Sequence, residues 1–558
     1  MWVLLAVAVV VIGFALKLNS MLVVTLAGIV AGLIAGLTPV KIIEAFGTGF
    51  AGSRSVTVFI VVLPVIGLIE RYGLQHQARK LIGKLRGLTT GRLLATYLLI
   101  RQASAALGLT AIGGPAQAVR PIVAPMSEAA AERTHGRLTT AMREKVRSYA
   151  ASADTVGLFF GEHLRRHRLD PAHHRVRRHD LRPQAGTSPD RPVGDPDGHL
   201  RLFHPWSADA AARPAADRDG ERAARRGSHG GRDPMIRVEW FYWVCAAVFL
   251  VVAVLRLTDN TDRKRYGSAA FWAVLAFAFV YGTLVVAKTG SALVEGVAVL
   301  ALAVLAGLGF PGKGSDNTTS REERASLADR FGNMLFLPAL LIPVIAVIFG
   351  AALASVTVGG GLLLEKGSAT IIGLGVAAII AFVVGMALFR VKSPVVPFRE
   401  ADRLLGHIGW AAILPQFLAT LGLLFTTAGV GKAVGNITNS VLPRGVLLLA
   451  VTVYCLGMAL FTIIMGNAFA AFPVMTAAVG WPVLVQQFHG NPPAVFAIGM
   501  LAGFCGTLVT PMAANFNLVP AALLELKDQY GPIKAQIPTA APLWVANVAI
   551  MYFFAFPR

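Results

Sequence analysis

Apolar runs alternate with short polar stretches along most of this chain. Runs near the length a helix needs to cross a bilayer, about 20 residues, lie at 2–16, 21–37, 55–69 and 93–109. After a long polar gap they resume at 240–255, 269–287, 293–310, 334–356, 369–389, 408–428, 445–465, 494–510 and 541–556. The pattern predicts an all-α polytopic transmembrane helix bundle in two membrane blocks. Two late runs are interrupted alike, at Gly466-Asn467-Ala468-Phe469-Ala470-Ala471-Phe472-Pro473 and at Thr510-Pro511-Met512-Ala513-Ala514-Asn515-Phe516-Asn517-Leu518-Val519-Pro520. Backbone that leaves a helix at membrane depth is tolerated only inside protein or beside a water-filled cavity. Broken or re-entrant helices with tips that approach each other are therefore expected at 466–482 and 506–520, around a solute site.

Composition agrees with this setting: 55% of the 558 residues are hydrophobic and only 15% charged, with a mean hydropathy of +0.63. The first run has no basic flank before it and no small-residue cleavage site after it, so it reads as a retained helix. Basic loops at 71–92, 256–265 and 390–403 belong on the cytoplasmic side. Four crossings separate the last two, as one shared side requires, and residues 240–255 then run inward. Loop bias and attraction to anionic lipid account for the net charge of +21. No basic domain with interleaved aromatics argues for nucleic acid.

Catalytic signatures fail in turn. Cys245, Cys455 and Cys505 all lie in apolar runs without a CxxC pair, so neither a zinc site nor a disulfide framework is expected. Residues 307–314 nearly match a phosphate loop, but Gly314 stands where Ser or Thr should hold magnesium, and the loop follows a membrane helix. There is no HExxH pair and no GxSxG turn. The expectation is a protein that is not an enzyme, carries no cofactor or metal, and relies on an ion gradient.

Residues 162–234 are of another kind, with 15 Arg, no Lys, eight of the chain's 12 His, and no Ile, Tyr, Met or Asn. Flexible linkers favour Ser, Gly, Glu or Lys, whereas this composition is what GC-rich DNA yields out of frame. A frameshift near Glu162, joining a truncated first block (1–162) through 163–234 to a second reading frame that starts at Met235 (235–558), explains it. A disordered linker and a metal or nucleic-acid segment built on His163 and His167 are the other readings. Pro171 and Pro183 interrupt the latter. By any of these readings the segment has too few aliphatic residues for a packed fold.

The interruptions offer chemistry for a small polar or anionic solute. Half-helix N-termini favour a carboxylate, and Asn amides can donate to a substrate and accept from a cation. Asn467, Thr510, Asn515 and Asn517 are the candidates for substrate binding. The competing reading is that these Asn side chains only cap the broken helices. A third broken element follows Gly113-Gly114-Pro115, with Gln117 and Arg120 as further substrate candidates. Arg120 could grip an anion at two points or sit at headgroup level. Asp154, at the start of an apolar segment, is the candidate for cation or proton coupling. Arg101 reads as a pairing or snorkelling residue, and Glu70, at a helix end beside Arg71, as interfacial.

The motifs around 465–473 and 506–517 make residues 235–558 resemble one of two uncharacterised bacterial membrane-protein families, usually encoded by adjacent genes. Residues 1–162, through Ala111-Ile112-Gly113-Gly114-Pro115-Ala116-Gln117-Ala118-Val119-Arg120-Pro121-Ile122-Val123-Ala124-Pro125-Met126 and 152–162, resemble the other. Such pairs are labelled subunits of a 5-oxoproline transporter, similar to the ion-transporter superfamily of carboxylate carriers. The resemblance implies a multi-pass protein of the bacterial inner membrane that moves a small anionic solute, 5-oxoproline, with Na+ or H+ as coupling cation and an intact partner membrane subunit. A non-transporting partner subunit and a membrane enzyme of unknown reaction are the alternatives. Departure from the family pattern begins at His163.

Overall fold

The structure is a computed structural model that describes residues 4–16, 18–84, 89–106, 114–168, 234–260, 262–314, 318–359, 361–429 and 445–557. Most of the odd middle segment thus lies outside the described residues, and so does the expectation that it lacks a packed fold. Within the first block run α1 (Leu4–Ala15), α2 (Ser20–Ile34), α3 (Pro39–Gly52), a 3-10 stretch (Arg54–Val62), α4 (Leu63–Arg71), α5 (Leu74–Lys84) and α6 (Thr90–Ala106). A π-helical stretch (Pro115–Val123), α7 (Ala124–His135) and α8 (Thr140–Arg168) complete it.

The second block contains α9 (Glu239–Thr258), α10 (Arg265–Val286), α11 (Ala292–Gly307), α12 (Arg321–Phe331), α13 (Phe336–Val347), α14 (Ala369–Leu388), α15 (Val395–Ile408), α16 (Leu414–Thr427) and α17 (Leu447–Met465). It ends with α18 (Ala468–Met475), a π-helical stretch (Thr476–Gln487), α19 (Pro492–Leu508), α20 (Leu518–Leu523) and α21 (Gly531–Phe554). Local rules set many boundaries. Asn19 accepts from the Met21 N–H at the start of α2, Thr38 precedes Pro39 at the first position of α3, and Ser320 with Glu323 forms a capping box on α12.

The molecule is an all-α polytopic transmembrane bundle with bent and broken helices. Among the described residues seven helical segments are long and apolar enough to span, or eight if α3 and the segment 54–71 form one span bent by 44°. The run at 55–69 is therefore no independent straight helix: it opens as a 3-10 stretch behind the bend at Ser53. The run at 408–428 belongs to a longer element, 395–427, that includes α15, and the run at 541–556 to α21, which starts ten residues earlier.

Ion pairs between helix ends bring the three basic segments together. Arg71 pairs with Glu400 at 2.9 Å, Lys80 pairs with Asp329, and Arg256 pairs with Asp402, so the three basic segments share one side. On the other side, Ile236 bridges Leu364, and the Val238 N–H donates to Glu365 beside a two-stranded hairpin, β1 (Thr357–Val358) with β2 (Gly361–Leu362). One apolar core runs through both blocks, joining Phe46, Phe50 and Ile66 of the first to Phe249, Phe417 and Tyr454 of the second.

Candidate functional site

Both late interruptions form, and they touch. Helix α17 ends at Gly466 in the left-handed conformation (φ 72°), and a Cβ there would overlap the carbonyl of Met512 in the other break. From the second break the Thr510 hydroxyl donates to the Ile463 carbonyl at 2.7 Å, so the end of α19 is tied to the end of α17. Asn517 is buried and donates its amide to the carbonyls of Thr507 at 2.9 Å and Thr510 at 2.7 Å. It thereby satisfies the Thr507 carbonyl in the last turn of α19 and shares that of Thr510 with the Ala513 N–H, and it makes no side-chain cap on its own helix, α20. Among the described residues its Oδ1 stays buried without a partner, as does the Thr507 hydroxyl. Asn515 is half-buried beside them, and Asn467 is exposed just past Gly466.

From this knot α20 leads to a second feature. A cavity of about 310 Å³ lies between the two blocks, lined from the first by Glu70, Gln75, Arg79, Arg120, Ala124, Pro125, Glu128 and Arg147. Thr318, Arg324, Arg403, His407, Leu523, Leu524 and Glu525 line it from the second. Arg120 sits at its centre, bidentate to Glu70 at 2.7 and 3.1 Å, 2.8 Å from Glu525, and bonded to the Leu523 carbonyl at the end of α20. Arg403 bridges Glu70 and Glu400, while Arg147 reaches the Leu524 carbonyl and Glu128. Five arginines face three glutamates, which leaves an excess of positive charge. Arg324, hydrogen-bonded to Thr319, forms no ion pair among the described residues.

Arg120 is thus buried in an ion-pair network. Glu70, at a helix end beside Arg71, is buried in the same network, with a partner 50 residues away in sequence. Gln117, three residues before Arg120 on the π-helical stretch, is buried with its Oε1 unpartnered among the described residues. Asp154 stands apart, where it accepts from the Arg101 guanidinium at 2.9 Å and the Tyr97 hydroxyl at 2.7 Å. Its neighbour Thr155 still reaches the second break, donating to the Phe516 carbonyl at 3.3 Å. Among the described residues no cluster of three or more metal-ligating side chains occurs.

Sequence reasoning missed Arg324, Arg403 and Glu525. Arg403 lay in a stretch read only as a basic loop, and Glu525 in a short polar connection. Nothing in their spacing announces a cavity, because it is assembled from segments as far apart in sequence as Glu70 and Glu525.

This arrangement defines an integral membrane protein of two packed helical blocks with paired helix breaks. Residues 239–556 match the family model described as protein of unknown function (DUF979), and the chain belongs to that family. Residues 1–165 match a second model, protein of unknown function (DUF969). No curated protein matches the chain. Among solved structures it is similar to the YdaH transporter of Alcanivorax borkumensis, at 14% identity over 90% of this chain and 86% of that one, with a TM-score of 0.31. It is also similar to MtrF of Neisseria gonorrhoeae, described with a class of antimetabolite efflux pumps, at 14% identity over 91% and 82%, with a TM-score of 0.32.

Proposed function

We propose that the chain is a secondary transporter of a small carboxylate, with 5-oxoproline as the first substrate to test. The observation that carries this reading is the contact between two interrupted helices beside a cavity with excess arginine. Non-helical backbone at membrane depth is kept where it lines a solute path, and planar guanidinium groups suit a carboxylate. Unpartnered acceptors at Asn517 Oδ1 and Gln117 Oε1 supply what an amide N–H or a coupling cation needs. Asn467, Thr510, Asn515, Asn517, Gln117 and Arg120 make up the proposed binding set, and α20 links its two halves.

Uptake of labelled 5-oxoproline into proteoliposomes holding the full chain tests the reading. Gradient-driven accumulation that unlabelled 5-oxoproline competes away is expected. No accumulation under Na+ or H+ gradients, together with no saturable binding, would leave the chain as a non-transporting partner subunit.

A further inference from the structure

A carboxylate outside that binding set lies in another part of the bundle. Glu295, in the first turn of α11, is fully buried, and neither of its oxygens has a hydrogen-bond partner among the described residues. The surroundings are closed by backbone: α11 meets α3 so tightly that a Cβ on Gly47 would overlap the Ala292 carbonyl, and one on Gly296 the Ile43 carbonyl. Arg54, at the bend between α3 and the 3-10 stretch, is the cation within electrostatic reach, but no salt bridge joins it to Glu295. Its guanidinium donates to the carbonyls of Ala51 and Phe279 and to the Thr283 hydroxyl, and it lies over the Tyr242 ring. Other groups on the packed elements are Lys41 and Glu44 on α3, and Lys288 and Tyr281 next to or on α10, with the Tyr281 hydroxyl taken by the Ser291 N–H; α2 has no charged residue. Glu239 on α9 acts through Arg54.

An ionised carboxylate without water or donors is strongly disfavoured, and a carboxyl buried in an apolar helix without a fixed partner is suited to exchange a proton. Asp154 is held by Arg101 and Tyr97 and would first have to break that pairing. We propose that Glu295 is a proton-binding site, neutral in this conformation and ionised when movement at the bend brings Arg54 onto it. The O–H proton then passes to water, and Arg54 exchanges the Thr283 hydroxyl and the Phe279 carbonyl for the new carboxylate. The coupling role of this proton rests on the transport reading, whereas its presence does not.

Infrared difference spectra of the full chain in liposomes, neutral against alkaline, test the presence of the proton. A protonated-carboxyl band should appear at neutral pH, disappear in Glu295→Gln, shift in Glu295→Asp and persist in Asp154→Asn. The same band in wild type and Glu295→Gln would overturn the proposal. In proteoliposomes under a proton gradient, Glu295→Gln should lose accumulation of labelled 5-oxoproline and retain exchange of label across the membrane. Accumulation equal to wild type would overturn the coupling role. If wild type neither accumulates nor exchanges label, the transport reading fails, while the infrared result still decides whether Glu295 holds a proton.

Discussion

At the scale of single residues, Asn517 separates capping from substrate binding. Its amide N–H groups hold the carbonyls of Thr507 and Thr510, so Asn517→Ala opens the first, leaves the second only its 3.4 Å bond from the Ala513 N–H, and should cost about 1–3 kcal/mol in thermal or denaturant unfolding. If Oδ1 also accepts from substrate, the folded fraction should bind labelled carboxylate more weakly; unchanged affinity would restrict Asn517 to its structural bonds. Glu70→Gln takes one charge from a buried network and should destabilise toward the lower end of about 3–5 kcal/mol, since Arg120 keeps Glu525 and Arg403 keeps Glu400. Glu525 lies outside the spans: burial alone would raise its carboxyl, but Arg120, with His407 behind it, holds it below the usual carboxylate range. A lowered folded-state value means stabilisation that is present above the unfolded value, about 4.3, and lost as pH falls through the folded one. Acid melting curves of wild type and Glu525→Gln should therefore converge below that point and separate above it.

At the scale of elements, the breaks depend on where backbone passes backbone. Gly466 needs a left-handed conformation and has no room for a Cβ against Met512. Gly466→Ala should lose roughly 2 kcal/mol or more, about 1–2 from the conformation and the rest from the displaced contact. Uptake should fall with stability at this position, because the end of α17 would move away from Thr510. A variant with full stability and full uptake would show that the contact between the two breaks is dispensable.

For the molecule as a whole, the blocks share a core and a buried ion network: Arg71 with Glu400, Arg120 with Glu525, Arg403 with Glu70. Segments 1–168 and 235–558 made as separate chains in one membrane should co-purify in detergent, and Arg120→Gln should weaken their association. Recovery of each segment alone would argue that the interface depends on the covalent link.

Membrane character, the shared side of the basic segments and the helix breaks could all be read from the chain. Each follows from local physics: apolar length, loop charge, and the disruption of a helix by Pro, Gly and Asn. Partnership could not be read. Whether Arg120 meets lipid headgroups or Glu70, whether Asp154 is available or held by Arg101, and whether Glu295, a lone carboxylate inside an apolar run, finds a donor are questions of distance between remote segments. Low-dielectric burial makes those distances decisive, since the same charge is stable beside an opposite one and strongly disfavoured a few ångströms away. The one-dimensional pattern determined what must be buried, and only the packing of α3, α11, the π-helical stretch and α20 decided what each buried group faces.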